Sequence, residues 1–306
     1  MADQAPRPGW FQYWVLDVFF GLINMGLHYA LRLLPIDVCS GFGGLMGPLV
    51  KYKYLPSDAR ARKLWKRVRP DEADEASTNA AMTRLWRCVG RTMAEFSVLD
   101  RLWAAGRISV EGLENLEAAR ATGKPLMFLG VHLGNWETIP VAMLAQGLRG
   151  ASIAIVPENR FDHMLANQAR DRLGGDYIVA DKNAAFEAVR YLKKKKQGIL
   201  MYVDELARDR VWAPAFGRAL RAEGNIAYIQ RLARLAGAVI IPLYSVRVDG
   251  RARFKVTVLP HLNLIDTGGR EADLLANVAM IDALIDPIIR AHIDQWYYAL
   301  DFEFDD

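Results

Sequence analysis

Seven short apolar segments, separated by stretches with helical periodicity, set the strongest limit on how this chain can fold. Each is four to eight residues long or close to it, which is the length of a buried strand rather than a helix. The intervening stretches fall near residues 136–148, 161–173, 183–196 and 225–236, with a last helix near 271–293. This alternation predicts an α/β sheet flanked by helices. The predicted strands lie near residues 108–110, 126–131, 152–156, 177–179, 199–203, 239–246 and 254–259.

Residues 14–34 form a mostly apolar stretch of 21 residues, about the length of a helix that crosses a bilayer. At ~100° per residue, its polar side chains Asp17, Asn24, His28 and Arg32 share one face. We expect that face to pack on the body of the protein, because a charged side chain in lipid is costly, and the other faces to meet acyl chains. The alternative is a buried core helix of a soluble protein.

The segment 51–69 that follows is basic, with eight Lys or Arg residues and one acid, Asp58, in a chain whose net charge is +4. Basic residues beside a hydrophobic helix favour the cytoplasmic face of a membrane and anionic lipid. The aromatic residues Tyr52, Tyr54 and Trp65 suit the same interface. No recognisable nucleic-acid-binding module accompanies them, so we predict no nucleic-acid partner.

Several classes of site are disfavoured by the motifs that are missing from the sequence. The two cysteines, Cys39 and Cys88, have no CxxC or Cys/His spacing, and no His-Glu-x-x-His occurs, so neither a disulfide framework nor a metal is predicted. No glycine-rich phosphate loop follows a strand, which argues against a nucleotide cofactor. No Gly-x-Ser-x-Gly occurs, so a serine nucleophile is unsupported.

His132 follows the second predicted strand, at the carboxyl end where open α/β sheets commonly bind ligands. Asn135 can cap the next helix, and Glu137 lies in its first turn, five residues after His132. A carboxylate that accepts from one ring nitrogen leaves the other free to take a proton, so we predict that His132 is a general base oriented by Glu137 and acting on a substrate hydroxyl. Gly130 and Gly134 are expected to let a bulky substrate approach the backbone.

The segment 130–137, Gly-Val-His-Leu-Gly-Asn-Trp-Glu, resembles the signature of the lipid A biosynthesis acyltransferases, the bacterial lauroyl and myristoyl transferases, within the His-x4-Asp/Glu acyltransferase superfamily. The likeness covers nearly the whole chain. Its further blocks lie at residues 110–116, 169–175, 198–204, 216–217, 232–242 and 295–297.

The resemblance implies a mixed sheet of the glycerolipid-acyltransferase type, with residues 1–35 as an N-terminal membrane anchor and residues 36–306 as the acyltransferase catalytic domain. It also implies a location at the bacterial inner membrane, with the catalytic domain on the cytoplasmic face. The acyl donor would be an acyl carrier protein thioester, and the acceptor a hydroxyl of a Kdo-bearing lipid A precursor. No cofactor is implied.

By matching position, Asn135, Asn159, Arg170 and Asp204 would help to bind the substrate. Arg170 has a physical case of its own, because a guanidinium can bind phosphate or carboxylate in a bidentate manner. The alternative for Arg170 is an exposed helix end, and for Asp204 a structural cap or turn residue.

Three departures from the family pattern leave the acceptor open: Asp204 is followed by Glu205 where Gln is usual, residues 218–225 lack the family's small and threonine-rich stretch, and the chain ends acidic. The acceptor could be another glycolipid or a lysophospholipid, and the donor a coenzyme A thioester. A third possibility is a catalytically silent lipid-binding membrane protein. The lysine run 193–196 either solvates a helix end or docks an acidic carrier protein.

Overall fold

A computed structural model describes residues 9–154, 159–181, 183–195 and 197–305, except for the side chains of Ala154, Arg170 and Lys195. All seven predicted strands are present in one sheet. Its order is β1-β9-β8-β2-β5-β3-β4, and every neighbouring pair is parallel except β8 with β9. The strands are β1 (Ile108–Glu111), β2 (Leu126–Gly130), β3 (Gly150–Ala154), β4 (Asp176–Val179), β5 (Gly198–Tyr202), β8 (Val239–Arg247) and β9 (Phe254–Val258). A short hairpin of β6 (Leu206–Ala207) and β7 (Arg210–Val211) lies outside the sheet.

Helices cover both faces of this sheet, which confirms the predicted α/β class with a mixed sheet flanked by helices. The closer likeness to glycerolipid acyltransferases stays a prediction. The N-terminal helices are α1 (Asp17–Arg32), which continues a π-helical turn, α2 (Ile36–Val50), α3 (Leu55–Val68), α4 (Glu75–Glu95) and α5 (Leu99–Leu102). The remaining helices are α6 (Leu113–Ala121), α7 (Thr138–Ala145), α8 (Arg160–Leu173), α9 (Ala184–Lys195), α10 (Gly224–Ala236) and α11 (Arg270–Ala291).

Strand β2 lies at the centre of the core because both of its faces are buried along its full length. Alternate side chains point to opposite faces of a strand. Met127 and Leu129 accordingly pack in one apolar cluster, with α3, α4, α9, α10 and α11. Leu126 and Phe128 pack in the other, with α2, α6 and α7. The continuous apolar pattern of β2 is typical of a parallel strand covered on both sides.

The polar face of α1 packs on the protein body, as the sequence predicts for three of its four residues. The contacts are Asn24 with Asp162 (3.1 Å), His28 with Ser97 (3.1 Å) and Arg32 with Asp100 (2.7 Å). The segment Gln12–Arg32 is apolar enough and long enough to cross a membrane, but only 17% of its most apolar 18-residue stretch is buried. A largely exposed helix is not the core helix that the alternative required. The boundary between an anchor at 1–35 and a domain at 36–306 stays a prediction.

Helix α2 crosses α4 at very short range. Gly43 and Gly47 face Gly90 of α4, and a Cβ added at any of the three would overlap a backbone atom of the other helix. Only glycine permits backbones to approach this closely. The large side chains of α2 are therefore left on its outer surface.

The basic segment 51–69 is partly neutralised within the protein. Four of its basic residues pair with described acids, which leaves less free charge for lipid than the sequence suggests. The pairs are Arg60 with Glu303, Arg62 with Asp58, Lys66 with Glu75, and Arg69 with Glu72.

Candidate active site

The site forms where two neighbouring parallel strands end. Strands β2 and β5 pair from Met127 to Gly130 and from Ile199 to Tyr202, and the backbone N–H of Val203 donates to the carbonyl of Gly130 at 3.1 Å. This last hydrogen bond extends the pairing past the strand ends. It brings the two residues that follow, His132 and Asp204, side by side.

His132 is held by the carboxylate of Asp204 at two points. Its ring Nδ1 lies 2.8 Å from Oδ1 of Asp204, and its backbone N–H donates to Oδ2 at 2.7 Å. Asp204 is fully buried. A carboxylate oxygen accepts, so Nδ1 carries the hydrogen, and a neutral imidazole in this position has its lone pair on Nε2. The geometry therefore selects the tautomer that a general base requires.

This arrangement corrects the sequence-based assignment, which gave the orienting role to Glu137 and a substrate-binding role to Asp204. The orienting carboxylate on Nδ1 is that of Asp204, 72 residues further along the chain. Glu137 immediately precedes α7, where it lies near the Tyr202 ring and helps to raise the pKa of that phenol. Adjacent strand ends, rather than sequence spacing, decide which acid reaches the imidazole.

Three aromatic rings surround the imidazole of His132. The ring centroids lie 4.3 Å away for Tyr202, 4.9 Å for Tyr298 and 5.0 Å for Trp136. Burial, followed by neighbouring carboxylates, raises the pKa of both tyrosines, so both are neutral at physiological pH. The phenol of Tyr202 donates to the carbonyl of Trp136 at 3.0 Å. The rings fix the imidazole in place while adding no charge to it.

The C-terminal segment wraps around the His132 loop. Trp296 Nε1 donates to Oδ2 of Asp204 at 2.7 Å, and the backbone N–H of Tyr297 donates to the carbonyl of His132 at 3.0 Å. The backbone N–H of Gly134 donates to the carbonyl of Gln295 at 3.0 Å. From the sequence, residues 295–297 were only part of a family likeness. In the structure, Trp296 donates a hydrogen bond to the carboxylate that contacts the His132 ring.

A buried ion pair lies beneath the same loop. Arg247, at the end of β8, donates through both terminal nitrogens to Glu95 of α4, at 2.6 and 2.8 Å, and Glu95 is fully buried. Asn135 donates to the same carboxylate at 2.9 Å. Thr92 donates to the carbonyl of Gly134 at 2.8 Å. Asn135 thus ties the His132 loop to a buried charge, and its substrate-binding role stays a prediction.

Gly130 and Gly134 allow other parts of the protein to pack against their backbone. A Cβ at Gly130 would overlap the ring of Tyr202. Gly134 has a φ of +57°, which favours glycine, and its α-carbon faces the backbone of Arg247. The expectation that these glycines admit substrate is replaced by a packing role.

The remaining predicted residues lie elsewhere. The side-chain oxygen of Asn159 accepts from the N–H of Phe161 at 2.9 Å, and its amide donates to the carbonyl of Asp17 at 3.1 Å. Asn159 therefore caps α8 and ties it to α1, and its substrate-binding role stays a prediction. Arg170 lies in α8, but its side chain is outside the described part of the chain, so its substrate-binding role stays a prediction.

Glu205 adds a second acid beside Asp204. Asn225 donates to its carboxylate at 3.1 Å. Burial raises the pKa of Glu205, and the charge of Asp204 adds to this effect. The family usually has Gln here, so the chain keeps the size of that side chain and adds a titratable proton.

Two cavities lie away from His132, near the opposite ends of the strands. One, of about 480 Å³, is lined by residues of β4 and α9, including Asp176 and Lys194. The other, of about 50 Å³, reaches Gly150 and Gly198 at the starts of β3 and β5. Within the described residues, no three His, Cys, Asp or Glu side chains are grouped to hold a metal ion.

Comparison with protein families matches residues 9–300 to the bacterial lipid A biosynthesis acyltransferases. A lipid A biosynthesis acyltransferase of Haemophilus influenzae is 21% identical over 83% of this chain and 78% of its own length. A lipid A biosynthesis palmitoleoyltransferase of Escherichia coli is 23% identical over 87% of this chain and 85% of its own. A lipid A biosynthesis acyltransferase of Shigella flexneri matches at the same level. The chain belongs to the bacterial lipid A biosynthesis acyltransferase family.

Proposed function

We propose that this protein transfers a fatty acyl chain from an acyl carrier protein thioester to a hydroxyl of a lipid A precursor. The reaction takes place at the cytoplasmic face of the bacterial inner membrane. Family membership supports acyl transfer onto lipid A. The observation that carries the mechanism is the 2.8 Å contact between Nδ1 of His132 and the buried carboxylate of Asp204.

The general base in this proposal is Nε2 of His132. It takes the proton of the acceptor hydroxyl as the hydroxyl oxygen attacks the carbonyl carbon of the thioester. The tetrahedral intermediate collapses with cleavage of the C–S bond, and Nε2 returns the proton to the departing thiolate. The products are an ester and a free thiol, and no acyl-enzyme forms. Asp204 stabilises the imidazolium that exists between the two proton transfers.

The oxyanion of the intermediate needs donors close to His132. The N–H groups of Thr138 and Ile139, in the first turn of α7, already donate to the carbonyls of Asn135 and Trp136. We therefore assign the oxyanion to backbone N–H groups of the loop just before this helix, at Asn135 and Trp136. Glu137 lies at this helix start. We assign it, with Arg170, to positioning the acceptor rather than to proton transfer.

The acyl carrier protein is supported as donor by the family resemblance, and the lysine run 193–196 adds nothing to that support. Lys193, Lys194 and Lys195 end α9, which precedes β5, so they lie at the amino-terminal edge of the parallel strands. Lys196 is outside the described part of the chain. His132 lies at the carboxyl edge, about 17 Å away along a five-residue strand. Exposed Lys193 and Lys194 are therefore consistent with simple solvation of a helix end.

The proposal is tested with purified enzyme, a labelled acyl thioester and a Kdo-bearing lipid A precursor. The informative variant is His132→Asn, because its amide can still donate to the buried Asp204 carboxylate while no base remains. We expect transfer to fall on the order of 10²–10⁴-fold. The matched control is His261→Asn, which makes the same substitution outside the site and should leave transfer unchanged.

Each result discriminates between the candidates. Near wild-type transfer by His132→Asn would refute the mechanism. Transfer from acyl-coenzyme A at an equal or higher rate would mean that coenzyme A, rather than the carrier protein, carries the acyl chain. Label on another glycolipid or on a lysophospholipid would replace the acceptor. If the wild type binds these lipids but transfers nothing, the protein is a lipid-binding member of the family.

A further inference from the structure

We propose that α1 does not cross the membrane but lies along its surface, with α2 beside it, so that the N-terminus stays on the same side as the active site. The inference rests on the proposed function only for which membrane is involved. We call the exposed apolar side chains of these two helices and their ends the membrane face. Its members include Trp10, Phe11, Phe19, Phe20, Phe42 and Leu45.

Helix α1 is fastened to α8 along most of its length. The contacts advance in step along both helices, so the two run side by side. Between Asp17 and Tyr29, the first and last of these contacts, the helix rises about 18 Å at 1.5 Å per residue. A helix attached over this distance cannot tilt into a bilayer without taking its partner with it. The contacts are Asp17 with Asn159, Gly21 with Phe161, Asn24 with Asp162, and Tyr29 with Gln168.

The partner helix cannot enter hydrocarbon. Eight of the 14 residues of α8 have charged, amide or imidazole side chains. Such side chains carry a large penalty at the centre of a bilayer. If α1 spanned the membrane in its docked position, α8 would lie at the same depths. If α1 instead lies in the plane of the membrane surface, α8 stays in water while the outer face of α1 reaches acyl chains.

Helix α2 extends the same face. Its outward side chains Val38, Phe42, Leu45 and Leu49 are spaced by four, three and four residues, so they share one side of the helix, and all are exposed. The opposite side packs on α4 through small residues. A helix with apolar side chains on both faces has no face suited to water.

Both helices pack against the segment that runs from α4 to α5. The inner side of α2 meets α4 at Trp86 and Gly90. The inner side of α1 meets the segment directly after α4, at Ser97 and Asp100.

Cationic and aromatic side chains mark the ends of the membrane face. Lys51 and Lys53, after α2, lie 5.3 and 5.6 Å from the ring centroids of Tyr52 and Tyr54. Arg160 lies 4.4 Å from the ring of Tyr13, at the start of the N-terminal helix. Tyrosine with a basic neighbour is typical of the headgroup region, where the charge meets anionic phosphate. The face therefore fits the boundary between headgroups and acyl chains.

The topology is tested with the full-length protein carrying one epitope tag before Met1 and another after Asp306. We expect protease to remove both tags from inverted inner-membrane vesicles and neither from intact spheroplasts. Removal of the N-terminal tag alone from spheroplasts would show that α1 spans, and recovery of the protein in the soluble fraction would show that it has no membrane face. Acyl transfer is not measured, so this outcome is independent of the proposed function.

The contribution of α2 is tested by binding of purified protein to phosphatidylglycerol–phosphatidylethanolamine vesicles. Leu45 is 67% exposed and Leu235, on the far surface of α10, is 62% exposed, so Leu45→Asp and Leu235→Asp are matched substitutions that spare the core. We expect Leu45→Asp to weaken vesicle binding on the order of tenfold or more, since it replaces buried apolar surface by a charge. Leu235→Asp should change binding less than twofold. Equal binding by both variants would exclude α2 from the membrane face, and circular dichroism checks that both fold.

Discussion

Replacing Asp204 by Asn isolates the electrostatic part of the proposed mechanism, because the two side chains have the same shape. In the native protein, Oδ1 accepts from Nδ1 of His132, and Oδ2 accepts from two further donors, the backbone N–H of His132 and Nε1 of Trp296. The amide has only one oxygen. If that oxygen keeps the two donors at the Oδ2 position, the NH₂ group faces Nδ1. Nδ1 must then accept, and the hydrogen moves to Nε2, where it blocks the base.

The size of the effect follows from two contributions. A hydrogen bond to a charged group is worth about 1.5–3 kcal/mol, and each 1.36 kcal/mol is a factor of ten in rate, so loss of the carboxylate charge alone gives about 10- to 150-fold. The wrong tautomer adds to this, and the equivalent change in Ser-His-Asp triads lowers kcat about 10⁴-fold. We expect Asp204→Asn to lower transfer about 10²- to 10⁴-fold.

The assay is the initial rate of acyl transfer by purified protein at saturating donor. The matched control is Glu205→Gln, which removes the adjacent carboxylate but leaves the bond between Asp204 and His132 intact, and it should change the rate less than tenfold. Circular dichroism and the unfolding midpoint verify that both variants are folded. If folded Asp204→Asn keeps more than a tenth of wild-type activity, Asp204 does not select the tautomer.

Three further substitutions test the packing and charge arguments. Gly43→Ala should destabilise the protein by about 1–3 kcal/mol, because its Cβ would overlap the carbonyl of the facing glycine in α4. Gly41→Ala on the same helix, with open space around it, should be neutral or stabilising by about 1 kcal/mol. Urea denaturation distinguishes the two variants, and equal effects would contradict the close approach of the helices. Arg247→Met should lower the free energy of unfolding by about 3–5 kcal/mol, because the carboxylate of Glu95 stays buried without its charge partner. Urea denaturation should show part of this stability restored when Glu95→Gln is added. Additive losses would mean that the two residues are not coupled. Because burial raises the pKa of Glu205 above its unfolded value, stability is greatest below the unfolded pKa and falls as pH rises through the folded pKa. The Tm of Glu205→Gln relative to wild type should therefore increase from pH 4 to pH 8, and a constant difference would rule out the raised pKa.

The sequence predicts the sheet well because its strands are encoded locally. Each is a short apolar run between turn residues, and β2 is apolar throughout because both faces are covered. The strand order is not local, since β2 lies between β5 and β8, which are distant along the chain. That order decides which side chains meet at the carboxyl edge.

This non-local order explains why the sequence pointed to His132 but not to the carboxylate that lies against its ring. The strand-end position and the family signature identify the histidine, but nothing in the spacing shows that Asp204 lies beside it. Two other missed residues left a weak signal. Arg247 ends an otherwise apolar strand, and Glu95 falls on the buried face of α4, and a charge at such positions indicates a buried partner.

Mass spectrometry of the host's lipid A tests the central claim most directly. We expect deletion of the gene to remove one acyl chain from lipid A, expression of the wild type to restore it, and His132→Asn at equal abundance to leave it missing. The same measurement gives the mass of the transferred chain. An unchanged lipid A on deletion, or full restoration by His132→Asn, would contradict the account.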